Sequence, residues 1–418
     1  MLATLALLLA QEPPASGSDP DVAAALSEIS EAEVRATIEA LAAFHTRHTA
    51  SERLGDRGIA GARRWILERL RAGNAGGRLE IAEDPYDAAS TRLEKTRSAN
   101  VLATLRGKTD PERVYVVSAH YDSRARDPRD GQARAPGAND DASGTAVVLE
   151  LARVLAKREF AASVVFALYS GEEQGLLGSK HHAGALKEAK AFVDGMVTND
   201  IVGNTTGANG VKDSRTLRVF SRSAEGADSP SRQLARLAEE VGEASVRDLD
   251  VRLVFRLDRF RRSGDHGPFD EAGFPAVRFT EPNEDWRRQH EDVREEGGFR
   301  YGDLPEFVDP SFVVKVARAN GALLAGLARA PRPPLQVEVR GGLSNETRLA
   351  WQASGGGEVA GYEVLWRDTT EAGWTGRRWV GSVTEATVPV LLDDAILAVR
   401  AVSPGGHRSR AVVPPRMH

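Results

Sequence analysis

The stretch that most constrains the fold is ASVVFALYS, residues 162–170. It is apolar almost throughout and rich in β-branched and aromatic residues, and it reads as a continuous buried strand. A strand with no polar side has to be covered on both faces, which is the situation of a parallel sheet between helices. It does not stand alone. ERVYVVSAH (112–120) and MVTNDIVG (196–203) read the same way, SANVLATLRG (98–107) is a further strand, and TLRVFS, RLVFRL and PAVRFTE add three. Helical patterns lie between them, as where Val147, Leu151, Val154 and Leu155 recur on one side. Strands alternating with helices predict an α/β fold, a three-layer αβα domain around a mostly parallel mixed sheet.

Helix ends are legible too. Ser30 and Glu33 form a capping box ahead of Val34, Ile38 and Leu41. A second helix runs around Trp65, Ile66 and Leu70. Asp309 and Pro310 suit the N-cap and first position of a last helix carrying Val313, Val316, Leu323 and Leu327. PRPP (331–334) then interrupts the pattern. Beyond it, QVEVR, TRLAWQA, GYEVLWR, TVPVLL and AILAVRAVS are short strands split by turn residues, the signature of a small all-β sandwich.

Composition excludes several functions. The formal charge is −5 and no Lys/Arg block stands out; RLDRFRR (256–262) is short and interleaved with acid, so no nucleic-acid partner is expected. There is no cysteine, which removes thiol nucleophiles, disulfides and cysteine-held zinc. No GxSxG or HExxH stretch occurs. Leu2 to Ala10 is too short to span a bilayer, and no membrane span is expected. Its length suits the core of a signal peptide, 1–10, ahead of a linker, 11–29, although the usual basic start is missing. Export to a secreted or periplasmic location is the expectation.

Acids and histidines gather at strand ends. His120-Tyr121-Asp122, Glu172-Glu173 and Asp200 each follow an apolar strand, and in an open α/β sheet that rim is the ligand crevice. APGANDDASG (135–144) adds Asp140 or Asp141, and QHEDV (289–293) adds His290. Without cysteine, zinc takes imidazole and carboxylate. A two-metal hydrolase holds its ions roughly 3.5–4 Å apart, sharing a carboxylate, and needs a free carboxylate as base. The residues on offer match that count.

These pieces, in this order, resemble the zinc exopeptidase family of secreted bacterial aminopeptidases and glutamate carboxypeptidase-like enzymes, with glutaminyl cyclases as more distant members. The resemblance covers about residues 30–330. It implies two Zn2+ ions and a peptide substrate. It implies that His120 and Asp200 bind one zinc, Glu173 and His290 the other, and that Asp140 bridges both. Glu172 would stay off the metals as general base towards a metal-bridging water. Asp122 would hold the His120 ring from outside, and Asp292 the His290 ring. Asp141 is then left to cap the next helix. Asp265 and His266 would shape the site without ligating.

Gln289 stands where some relatives place a Tyr that supports the oxyanion. Trp286 and Tyr301 read as packing or pocket wall, and Arg287 and Arg288 as a solvated pair with carboxylate binding as the alternative. His45, His48, His181, His182, His407 and His418 read as surface. The segment 335–418 resembles a fibronectin type III module with Trp351 as its core Trp. That implies a spacer or adhesion module able to bind protein or polysaccharide surfaces. The leading expectation is an aminopeptidase. The alternatives are a glutaminyl cyclase-like transferase, a carboxypeptidase or dipeptidase of the same fold, and a non-catalytic binding protein.

Overall fold

The computed structural model describes residues 19–74, 76–222, 228–342 and 344–415; the expected signal peptide, 1–10, and His418 lie outside them. The apolar stretches form one eight-stranded sheet. In chain order its strands are β1 (Leu79–Ser90), β2 (Leu93–Leu105), β3 (Asp110–His120), β4 (Ala162–Tyr169), β5 (Phe192–Asn199), β6 (Thr216–Ser221), β7 (Asp250–Val254) and β8 (Ala276–Thr280). Their spatial order is β1-β2-β4-β3-β5-β8-β6-β7. The centre is parallel, β4 with β3, β3 with β5 and β5 with β8, whereas β1, β2 and β6 bring antiparallel pairings.

Helices α1 (Pro20–Ser27), α2 (Glu31–Ala43), α3 (Ile59–Gly73), α4 (Ala142–Leu155), α5 (Leu177–Glu188), α6 (Pro230–Ser245), α7 (His266–Ala272) and α8 (Pro310–Arg329) flank the sheet. The strand period shows the layering. Val117, Val164, Phe166 and Leu168 enter one apolar cluster with residues of α2, α4 and α8. Their neighbours Val116, Val165, Ala167 and Tyr169 enter the other, with Ala183 of α5 and Phe269 of α7. β4 is buried at every position, as a central strand must be. Helix α8 is long and apolar enough to cross a bilayer, but 78% of its apolar window is buried inside the domain.

Three features depart from the sequence reading. The expected linker up to residue 29 contains α1, because Ala25 and Leu26 fall on one helical face and are buried in the core. β1 was not expected; it is an edge strand whose Pro85 and four acids leave no continuous apolar run of the kind that marks interior strands. After His290, β9 (Arg294–Glu296) and β10 (Phe299–Tyr301) pair as a hairpin across Gly297-Gly298, both at positive φ as a tight turn requires. At α2 the Ser30 side chain accepts from Glu33 N as expected, but Ser30 N donates to the Glu150 carboxylate instead of to Glu33.

Two of the histidines read as surface are buried. His48 caps the turn that follows it, accepting from Ala50 N. His182, on α5, sits 2.9 Å from Tyr169 Oη and edge-on to Phe269. The side of α5 that carries His182 and Ala183 is the one packed on Tyr169 and Phe269. Burial pulls the His182 pKa down to about 4. The unfolded chain therefore takes up a proton near pH 6.5 that the native state refuses. Stability due to this residue is intact above pH 6.5 and is lost as pH falls towards 4, on the order of 3 kcal/mol in full. Denaturant titrations of the parent and of His182→Gln at pH 7 and pH 4 should show the parent losing more; parallel losses would contradict this reading.

The compact unit just described spans Pro20–Ala328; a second runs from Arg329 onward, with Asp19. In the second, β11 (Leu335–Arg340), β12 (Thr347–Gln352) and β15 (Glu385–Val388) form one antiparallel sheet, and β14 (Gly376–Gly381), β13 (Gly361–Asp368) and β16 (Ala395–Val402) another. Leu349, Trp351 and Val388 of the first share a core with Tyr362, Val364 and Val399 of the second. The unit is thus a small β-sandwich.

Candidate metal centre

The parallel core delivers side chains to a single rim. β3 ends in His120, β4 is followed by Glu172 and Glu173, and β5 by Asp200. The loop 135–141 descends to the same rim before α4. Two glycines let it fit. Gly137 has φ +52, and a Cβ there would lie 2.6 Å from Ser123 Cβ; a Cβ on Gly144 would lie 2.3 Å from the Asn199 carbonyl. The peptide between Asp140 and Asp141 is cis. Asp141 faces away from the rim and caps α4, accepting from Gly144 N at 3.0 Å and from His120 N at 3.2 Å.

Two groups capable of holding a metal result, His120 with Asp140 and Asp200, and Asp140 with Glu173 and His290. Asp140 belongs to both. Its Oδ1 is 3.1 Å from His120 Nε2, and its Oδ2 is 2.9 Å from His290 Nε2. Asp200 Oδ1 is 3.9 Å from His120 Nε2, and Glu173 Oε1 is 3.0 Å from His290 Nε2. The donor set suits zinc. Two of the facing atoms, His120 Nε2 and Glu173 Oε1, are buried without a hydrogen-bond partner, as atoms reserved for a cation are. His120 Nδ1 faces only acceptors, the Asp122 carbonyl at 3.2 Å and Asp122 Oδ1 at 3.6 Å. The proton therefore belongs on Nδ1, and the Nε2 lone pair is left for a ligand.

The acids are tuned apart. Burial opposes ionisation of Asp140, but His290 and His120 hold its carboxyl well below the ordinary range. Burial pushes Glu172 well above its ordinary value, with His120 opposing and Asp200 and Glu173 reinforcing. Glu172 belongs to neither metal-capable group and lines the cavity. Opposite shifts on neighbouring acids are the pattern of divided roles.

Asp122 holds more than the histidine. Its carboxylate accepts from Glu172 N and Glu173 N, each at 3.2 Å, and so fixes the turn carrying both acids. Asp292 does not meet His290, contrary to expectation. His290 has φ +51, and the chain turns so that Asp292 accepts from Arg126 N instead. Arg124 stands at His290 Nδ1, 2.5 Å away, and also grips Glu173 Oε2 at 2.9 Å. Arg124 also lines the cavity.

Several supporting residues escaped the sequence reading. Asp303 accepts from Asn139 N at 2.8 Å and Asp140 N at 2.7 Å, and buried Arg47 donates to the Gly137 carbonyl at 2.8 Å. These partners lie far apart in sequence, and nothing local announces them. Arg278 pairs with Asp200 and Asp258, both at 2.9 Å. It did leave a signal, a lone charge inside the apolar strand AVRFT, which must be paired when buried.

A cavity of about 400 Å3 opens over the centre. Gln289 is buried with both amide atoms unbonded, and it does not line that cavity. Trp286 is 64% exposed, so it is not core packing. Arg287 and Arg288 are not a solvated pair: they bind Asp285 and lie over Phe299 and Phe307 at 4.0 and 3.7 Å. Asp265 and His266 are buried nearby, outside both metal-capable groups.

Comparison with known proteins supplies the family. Residues 100–296 match the family model for peptidase family M28. A probable zinc metalloprotease of Leptosphaeria maculans is 44% identical, over 95% of this chain and 97% of its own. One from Pyricularia oryzae is 45% identical, over 95% and 84%. Among solved structures, the LapA aminopeptidase of Legionella pneumophila superposes with a TM-score of 0.56 at 21% identity, over 76% of this chain and 78% of its own. A glutaminyl cyclase of Fimbriiglobus ruber reaches 0.52 at 19%, over 71% and 95%. At such identities the structures speak for the fold alone. The full-length sequence relatives carry the assignment: the chain is a zinc metallopeptidase belonging to peptidase family M28.

Proposed function

We propose that the chain is a di-zinc aminopeptidase that hydrolyses the N-terminal bond of peptides. The observation that carries this reading is Asp140, whose two oxygens face two separate ligand groups. His120 and Asp200 would hold one zinc, Glu173 and His290 the other, and Asp140 both. When bound, the ions supply Lewis acidity towards the scissile carbonyl and lower the pKa of water. Glu172 takes the proton of the attacking water and returns it to the leaving amine, a role that its raised pKa suits. Asp122 keeps Glu172 at its station by holding its backbone. Arg278 keeps Asp200 ionised and oriented.

A glutaminyl cyclase-like transferase is the alternative from another reaction class, the fold being shared with one such enzyme. A carboxypeptidase or dipeptidase of the same fold gains support from the cations that line the cavity. The C-terminal sandwich fits a fibronectin type III-like spacer. The deciding measurement combines zinc content with a panel of aminoacyl anilides and dipeptides, blocked and unblocked at either end. Two zinc ions per chain with cleavage that needs a free amine is the expected result. About one zinc with cyclisation of N-terminal Gln peptides would favour the transferase. Zinc-loaded protein that hydrolyses nothing would favour a binding protein.

A further inference from the structure

The cavity carries more positive charge than the chemistry of its metal centre uses. Besides the acids, Arg92, Lys180, Arg261 and Arg262 line it, and Leu176 is the one large apolar side chain in the lining. Ion pairing accounts for the other guanidinium groups around the site: Arg124 meets Glu173 at 2.9 Å, and Arg259 meets Glu284 at 2.8 Å. It does not account for these four. Arg92 donates to the Glu173 carbonyl at 3.3 Å, Lys180 to the Gly175 carbonyl at 2.9 Å, and Arg261 lies over the Phe260 ring at 5.1 Å. Among the described residues none of the four meets a carboxylate. Six cations line the cavity against four acids, and two divalent ions would offset those four. What remains is an open, strongly cationic recess beside the candidate metal centre.

We infer that this recess selects peptides by a carboxylate close to the cleaved bond, gripped by Arg261 and Arg262 with Arg92 and Lys180 around it. The inference rests on the peptidase reading and names its substrate class. A pocket for an apolar residue is lined by apolar side chains, because burying unpaired charge against hydrocarbon is costly. A recess of guanidinium and ammonium groups does the reverse, offering forked donors that match a carboxylate. The RLDRFRR segment divides its labour accordingly. Asp258 and Arg259 join the buried network behind Asp200, and the next two arginines reach the cavity. The carboxylate can come from an Asp or Glu side chain or from a free C-terminus.

Three matched peptide pairs separate these sources: Glu-Leu amide against Gln-Leu amide, Leu-Glu amide against Leu-Gln amide, and Leu-Leu acid against Leu-Leu amide. Binding is read by calorimetry on zinc-loaded Glu172→Gln, and kcat/KM on the parent. In at least one pair the acidic member should bind at least tenfold more tightly. The double variant Arg261→Gln/Arg262→Gln should bring that ratio below threefold, and added salt should weaken it. A preference in the first two pairs identifies a side chain; one in the third identifies the terminal carboxylate. Equal binding within all three pairs, or a ratio that survives the double substitution, overturns the inference. Preferential binding of acidic peptides by the variant, with none of the six hydrolysed by the parent, defeats the peptidase reading instead.

Discussion

Glu172→Gln is expected to retain two zinc ions per chain and to lose about two to four orders of magnitude in kcat, the usual contribution of a general base. Glu172 belongs to neither ligand group, so the exchange touches no metal ligand. Its backbone N–H is held by Asp122, a bond that the substitution leaves in place. Gln fills the same volume at a partly exposed position, so the fold should not respond. What disappears is the basic lone pair, since an amide oxygen does not accept a proton near neutral pH. The split between metal content and turnover is therefore the signature. Zinc counted by emission spectrometry should match the parent, and KM should change far less than kcat. A near-normal rate with full zinc would show that another group moves the proton.

Part of the candidate site was legible in the sequence because it depends on strand order. His120, the Glu172-Glu173 pair and Asp200 each follow an apolar strand, and parallel strands bring those ends to one rim whatever the loops between them do; Asp140 and His290 lie in loops, and only the family resemblance singled them out. The same logic made ASVVFALYS readable and β1 unreadable: a strand buried on both faces leaves an unbroken apolar run, whereas an edge strand with Pro85 and surface acids leaves none. Asp292 failed for a different reason. Proximity to His290 in the chain suggested contact, but one residue in the left-handed region redirected the backbone. Asp303 and Arg47 were invisible because each acts across a long loop through main-chain groups, and main-chain partners carry no residue code. The cationic recess was in view as RLDRFRR, yet only the fold separates the arginines that are paired from those that are not.

Asp140→Asn is expected to cost metal as well as rate. In the parent, each carboxylate oxygen faces a different imidazole, at 3.1 and 2.9 Å. Asn keeps one oxygen and replaces the other with an amide NH2, which donates and does not ligate, so at most one ligand group remains complete. The substitution also removes a negative charge from between two positions meant for dications, where it offsets their mutual repulsion. Zinc content should fall from two to one or fewer per chain. The rate should drop by more than about a thousandfold, since losing Lewis-acid stabilisation of several kcal/mol multiplies by ten for each 1.4 kcal/mol. The loop should survive. Asp303 binds the Asn139 and Asp140 backbone amides, and Arg47 binds the Gly137 carbonyl, so its anchors are main-chain groups that residue 140 keeps. Circular dichroism should therefore match that of the parent while zinc does not. A variant that holds two zinc ions at parental affinity would remove Asp140 from the bridging role, and the two ligand groups would have to be joined through another oxygen.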